Sequence, residues 1–154
     1  NRVPTIKEAR GKIVLIRRCF CEKKGKRTDF NTGIDFSNWI EQTQLVPTPL
    51  VLKSLSFDSK EKNTFIIQDR FKYKSVPRWN DVIKPFLDER KEFDGCYIVN
   101  YLSTAGGIKG PYKNSVYING EFMKYNLKKG VYYGTTYVDF ITQKLARKYI
   151  DTNF

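Results

Sequence analysis

The sequence predicts an α/β fold with parallel strands, and three observations lead there. Four short apolar runs alternate with helical segments, three of the four close on a polar or charged residue, and four runs are half of what a closed barrel takes. Functional groups gathered at the carboxyl ends of parallel strands are the grammar of the (β/α)8 barrel, which typically needs about 250 residues. The chain has 154. The expected architecture is therefore half of a TIM-type barrel, four parallel strands with their helices, forming one domain over residues 1–154.

Each element has a local reason. Pro4 sets a turn, and Thr5 with Glu8 makes a capping box for one turn of helix. Ile13, Val14, Leu15 and Ile16 form an unbroken apolar run inside residues 11–20, too short for a helix, which reads as a strand buried on both faces. It finishes on Arg17 and Arg18, which the two-residue period sends to opposite sides, so one of them faces inward. Lys23, Lys24, Lys26 and Arg27 read as a solvated loop. Residues 45–55 are apolar, but Pro47 and Pro49 restrict them to an edge strand or an extended loop.

Phe65, Ile66 and Ile67 repeat the strand pattern and close on Gln68 and Asp69. A basic loop over residues 70–75 leads to Pro77 in the first turn of a helix running to about Glu92, with a kink or break at Pro85. Gly95 opens a third strand over residues 96–102, left through Ser103 to Gly107. Residues 117–127 read as a helix whose start is weakened by Asn119 and Gly120 and which Gly130 ends. The fourth strand begins near Val131 and closes on Tyr137, Val138, Asp139 and Phe140. Ile141, Leu145 and Tyr149 then form the apolar stripe of an amphipathic helix over residues 141–150.

Composition narrows the partners. There are 28 Lys and Arg against 16 Asp and Glu, a net charge of +12, which favours nucleic acid, phosphate esters or acidic membrane surfaces. Histidine is absent. That removes the commonest general acid and base near neutral pH and the commonest zinc ligand. Cys19, Cys21 and Cys96 have no metal spacing, and thiols at i and i+2 of one strand are poorly placed to bridge, so they read as core thiols. No metal or cofactor is expected. No run approaches the roughly 20 apolar residues of a membrane span, and a start at Asn1 without methionine reads as a cut or processed end.

Arg18, Asp69, Asn100 or Tyr101, and Asp139 lie at the expected strand ends. On spacing alone Arg18 fits a buried ion pair with one of the aspartates as well as a ligand contact. Three charged groups at one end of a sheet also make a functional signal, because burying each without use is costly.

Four segments carry a resemblance: residues 9–18 around Arg18, residues 67–73 around Asp69, residues 97–103, and residues 137–141 around Asp139. In order, over nearly the whole chain, they resemble the second half of a bacterial phosphatidylinositol-specific phospholipase C. The resemblance implies a distorted (β/α)8 barrel that cleaves phosphatidylinositol to inositol 1,2-cyclic phosphate and diacylglycerol without a metal. It implies that Arg18 and Asp69 hold inositol hydroxyls, that Phe71 lies where the family more often stacks a tyrosine on the sugar, and that Asp139 orients a catalytic histidine. Arg17 is then the outward cation. The family's two catalytic histidines and their assisting arginine and aspartate belong to the first half of the barrel. The expected partners are accordingly phosphatidylinositol or a related inositol phospholipid, an anionic membrane surface, and the first half of the same barrel. The sequence itself does not fix a localisation, and the resemblance favours secretion or a peripheral place at a membrane surface.

Two other classes compete. A catalytically silent relative could keep the sugar-holding residues and serve as a binding module for inositol lipids or glycans. A basic nucleic-acid binder with stacking aromatics fits the composition, with ten Tyr and eleven Phe. It is disfavoured because most of those aromatics fall in expected strands and helices, where core packing accounts for them.

Overall fold

The structure is a computed structural model that describes residues 4–19, 22–23, 26–27, 33–42, 48–53, 64–89 and 96–154. It is mixed α/β. The chain divides into two compact units, Asn1–Ile40 with Val51–Phe65, and Glu41–Leu50 with Ile66–Phe154. A four-stranded mixed sheet has the order β5-β6-β7-β8, from Leu50–Lys53, Thr64–Gln68, Tyr97–Tyr101 and Thr135–Tyr137. Two short ladders accompany it. Ile16–Arg17 (β1) pairs in parallel with Ile34–Asp35 (β4), and Glu22–Lys23 (β2) pairs antiparallel with Lys26–Arg27 (β3).

Of the expected half-barrel, the structure shows the α/β class and a four-stranded mixed sheet rather than four parallel strands. The first expected strand is not in the sheet with the other three, and no barrel is formed among the described residues. The reason lies in the first unit. Of residues 11–20 only Ile16–Arg17 makes a ladder, held by Ile34 N–H to Leu15 O at 2.8 Å and Phe36 N–H to Arg17 O at 2.8 Å. Its partner strand carries one apolar residue and one acid, too short a run to announce itself. The apolar run is not buried on both faces either. Ile13 is 97% exposed, and Val14, Leu15 and Ile16 are exposed too. The packed part of this unit is Ile34, Phe36, Leu52 and Phe65, with the Phe36 and Phe65 rings 4.2 Å apart. Helix α1 (Ile6–Ala9) has its full capping box, Glu8 N–H donating to Thr5 Oγ1 and Thr5 N–H to the Glu8 carboxylate. Cys19 is an exposed free thiol, against the core reading, while Cys96 is a half-buried free thiol packed on Ile66, Phe86 and Ile98. Cys21 and Lys24 lie outside the described residues.

The second unit holds the end of β6 from Ile66 on, with β7 and β8. Strand β7 pairs in parallel with β8, Val99 opposite Thr135 and Tyr101 opposite Tyr137. The edge place of β5 agrees with the two prolines around it, although Pro47 lies outside the described residues. Helix α2 (Ser75–Arg78) continues as a π turn, Trp79–Ile83, into α3 (Lys84–Asp88). The break expected at Pro85 takes this form: Lys84 N–H reaches Trp79 O, and the widened turn absorbs the donor and the room that proline denies a regular helix.

Helix α4 is Pro111–Lys124, six residues earlier than expected at its start. Pro111 at the first helical position is the signal that outweighs Asn119 and Gly120. Helix α5 is Gln143–Ile150, capped by Thr142, whose Oγ1 accepts from Leu145 N–H at 3.2 Å. Ile141 falls outside the helix and is exposed, whereas Leu145 is buried. The core joins Trp79, Ile83, Leu87, Leu102, Ile118, Phe122, Tyr133 and Leu145.

Gly120 packs against nothing within 4 Å of where a Cβ would sit, so its only effect is on helix entropy. Gly120→Ala is expected to stabilise the protein by about 0.5–1 kcal/mol. Urea denaturation measures it, and destabilisation would mean that the glycine has a packing role.

Candidate functional site

Three strand ends lie side by side in the second unit. Past β6 and β7 the chain keeps the same direction, since Ala105 N–H donates to Phe71 O at 2.8 Å and Gly106 N–H to Tyr73 O at 2.9 Å. Past β7 and β8, Leu102 N–H donates to Tyr137 O at 3.0 Å. The carboxyl ends of β6, β7 and β8 therefore share one edge, and β6 and β8 are two strand spacings apart, roughly 10 Å. The Tyr101 and Tyr137 rings stack across β7 and β8 with centroids 4.7 Å apart and planes 9° from parallel.

Two glutamines fix the end of β6. Gln42, fully buried, acts as a substitute strand: its Nε2 donates to Ile67 O at 2.9 Å, and its Oε1 accepts from Asp69 N–H at 3.0 Å and from Thr48 Oγ1 at 3.1 Å. Gln68, also fully buried, ties β6 to β7. Its Nε2 donates to Asn100 Oδ1 at 2.7 Å and Tyr101 O at 2.9 Å, and its Oε1 accepts from Arg70 N–H at 3.1 Å.

Arg78 completes this network without any exposure of its own. Its Nη1 donates to Gln68 Oε1 at 2.5 Å, its Nη2 to Tyr101 O at 2.6 Å and its Nε to Ser103 O at 3.4 Å. Burial pushes the guanidinium down to about 9, with the negative charge of Asp69 acting in the opposite sense. It is still a cation at neutral pH. Its charge is spread over neutral acceptors at the ends of β6 and β7, beside the carboxylate of interest.

The expected site residues are placed as follows. Asp69 and Phe71 follow β6 directly and are half-buried, with Lys72 Nζ 5.7 Å from the Phe71 ring centre. Asp139 stands two residues past β8, half-buried, its carbonyl accepting from Asn119 Nδ2 at 2.9 Å. The next residue, Phe140, has φ of 52°, a left-handed turn that redirects the chain into α5. Asp69, Phe71 and Asp139 all belong to the second unit, and Arg18 to the first.

Arg17 and Arg18 exchange the faces expected of them. Arg17 is 6% exposed and pairs with Asp35, itself 4% exposed, at 3.1 Å, and its Nη1 donates to Cys19 O at 2.9 Å. Arg18 is exposed, donates from Nε to Trp39 O at 3.2 Å and lays its guanidinium 4.9 Å from the Trp39 ring centre. The outward reading of Arg17 is corrected: its ladder partner supplies a buried acid, and the pair goes in together.

Gln42, Asp35 and Arg78 were not foreseen. A signal existed for Arg78, which shares the helical spacing of Ser75, Val82 and Phe86, all buried. Among the described residues no three His, Cys, Asp or Glu side chains could hold a metal ion together, and no helix is long and apolar enough to cross a membrane. No protein-family model, curated protein or solved structure matches this chain.

Proposed function

We propose that the chain is the inositol-holding half of a phospholipase C acting on phosphatidylinositol or a related inositol phospholipid. One observation supports the reading: Gln68 at the end of β6 bonds Asn100 and Tyr101 at the end of β7, and β8 runs parallel to β7, so Asp69 with Phe71 and Asp139 follow strand ends about two strand spacings apart. That span suits a six-membered polyol. In this reading Asp69 accepts from ring hydroxyls and Phe71 offers an apolar face to the ring. Asp139 orients a histidine supplied by the other half of the barrel.

The chemistry needs a base to take the proton of the inositol 2-hydroxyl, whose oxygen then attacks phosphorus. An acid protonates the departing glycerol oxygen, leaving cyclic phosphate and diacylglycerol. The chain brings neither group, having no histidine. A first half of the barrel is the expected partner. The exposed Ile13, Val14 and Leu15, bordering a hollow of about 460 Å³ in the first unit, support an apolar contact there. In the second unit the exposed Ile108, Tyr112, Val116 and Phe140, with exposed Lys109 and Lys113 among them, support docking on an anionic membrane surface. Each cation near such a surface contributes about 1 kcal/mol.

The isolated chain is expected to sediment with anionic vesicles in a salt-sensitive way and to release no cyclic phosphate from phosphatidylinositol. Each missing proton transfer typically forfeits about 10²- to 10⁴-fold in rate. Robust release by the chain alone would refute the assignment of acid and base to the other half. The competing reading, a silent inositol-lipid or glycan binder, separates from it when a histidine-bearing first half is added: turnover appears in one case and binding alone in the other.

A further inference from the structure

Strand β8 ends the four-stranded sheet, and its outer side has no strand neighbour among the described residues. Its register against β7 settles which groups point outward. Leu102 N–H donates to Tyr137 O, and Val99 and Tyr101 stand opposite Thr135 and Tyr137, so the backbone of Thr135 and Tyr137 faces β7. The residue between them turns its N–H and C=O the other way, which points those of Thr136 out of the sheet. Tyr149 Oη donates to Gly134 O at 2.7 Å and accepts from Thr136 Oγ1 at 2.9 Å, so helix α5 closes the outer side as far as Gly134. Past that point neither backbone group of Thr136 has a partner among the described residues.

Sheets usually guard such a side with a charge, a proline or a bulge. Here Val131 to Val138 contains neither a charge nor a proline, in a chain of net charge +12. Tyr137 adds a second sign. Its ring stacks on Tyr101 with planes 9° apart, which covers the face toward β7, and the residue is still 51% exposed, so the face turned away from β7 is open. An incoming strand meets a donor, an acceptor and a flat aromatic surface together. Charge selects the occupant. Lys128 and Lys129, both exposed, stand at the start of this segment, where Lys128 N–H donates to Tyr133 Oη at 3.0 Å. No acid lies between Glu121 and Asp139, and Asp139 is past the far end of the strand. A second copy would bring the same cations and be repelled, whereas an acidic segment is drawn in.

We infer that the outer side of β8 takes up an extended acidic peptide segment, which bonds Thr136 N–H and C=O through its own backbone and lays an aromatic side chain on Tyr137. The surface shares no residue with the membrane patch, and the inference stands whether or not the inositol reading does.

Nuclear magnetic resonance titration of the 154-residue chain with the capped peptide Glu-Glu-Val-Tyr-Val-Thr-Glu-Glu tests it. The peptide should shift the amides of Thr135, Thr136, Tyr137 and Val138, and at saturation slow solvent exchange of the Thr136 amide about tenfold or more. The same peptide with lysine in place of glutamate should bind about tenfold more weakly. Thr136→Pro removes the outward donor without touching the ladder to β7, where an edge strand tolerates proline, and should also weaken binding about tenfold. Thr136→Val loses the same hydroxyl bond to Tyr149 but keeps the N–H, and should bind as the unaltered chain does. The inference is overturned if the acidic peptide leaves these amides unmoved, if the lysine peptide or Thr136→Pro binds equally well, or if the Thr136 amide exchanges as fast with peptide as without it. A dimer of the chain alone that Thr136→Pro dissolves would overturn it too, by assigning the outer side of β8 to a second copy.

Discussion

Arg78→Ala is expected to lower stability by about 3–5 kcal/mol, the largest effect of any single side chain in the second unit. The change removes the donor to Gln68 Oε1, Tyr101 O and Ser103 O, all at the ends of β6 and β7, and leaves a cavity where a fully buried side chain was. Arg78→Lys should recover little, because a compact ammonium cannot span three acceptors in the plane of a guanidinium. Arg78→Met fills more of the volume and isolates the polar part of the loss. If the network acts as a unit, Arg78→Met and Gln68→Leu combined should cost less than the sum of the two by about 1–3 kcal/mol. Denaturant titration of the four proteins measures this. Strict additivity, or a loss below about 1 kcal/mol for Arg78→Ala, would show that Arg78 does not hold the strand ends together.

Gly134→Ala is the second large effect, about 3 kcal/mol or more. Gly134 has φ of +73°, and a Cβ there would stand 2.3 Å from Ile98 O and 2.4 Å from Ile98 Cβ, so strand β8 would have to leave β7. Gly130 is the control, since it has nearly the same φ, +71°, but open space around the added carbon. Gly130→Ala should cost only the left-handed penalty, about 1–2 kcal/mol. Equal losses in the two variants by thermal denaturation would mean that crowding against Ile98 is relieved without moving the strand.

What could be read from the sequence was what is decided locally. The capping box of Thr5 and Glu8, the strand ending at Gln68, the strand around Val99 and the last helix each follow from a spacing within a dozen residues. The misses have non-local causes. Whether Arg17 or Arg18 turned inward depended on Asp35, eighteen positions further on and in a two-residue strand with no pattern of its own. The exposure of Ile13 to Ile16 illustrates the same limit, because an apolar run says that something should cover it but not what. The start of helix α4 is hidden because Asn119 and Gly120 weaken the helical pattern, although a helix of 14 residues tolerates one glycine at about 1 kcal/mol. Gln42 was illegible because an amide standing in for a strand neighbour has no signature of spacing.

The central claim is that the edge bearing Asp69 and Asp139 receives the inositol ring. Titration of the isotopically labelled chain with myo-inositol tests it most directly. The account predicts weak, saturable shifts of the Asp69, Phe71 and Asp139 amides, reduced at least about tenfold in affinity by Asp69→Asn, since a neutral amide accepts hydroxyls less strongly than a carboxylate. Shifts confined to other residues, or none at any soluble concentration of the ligand, would contradict it.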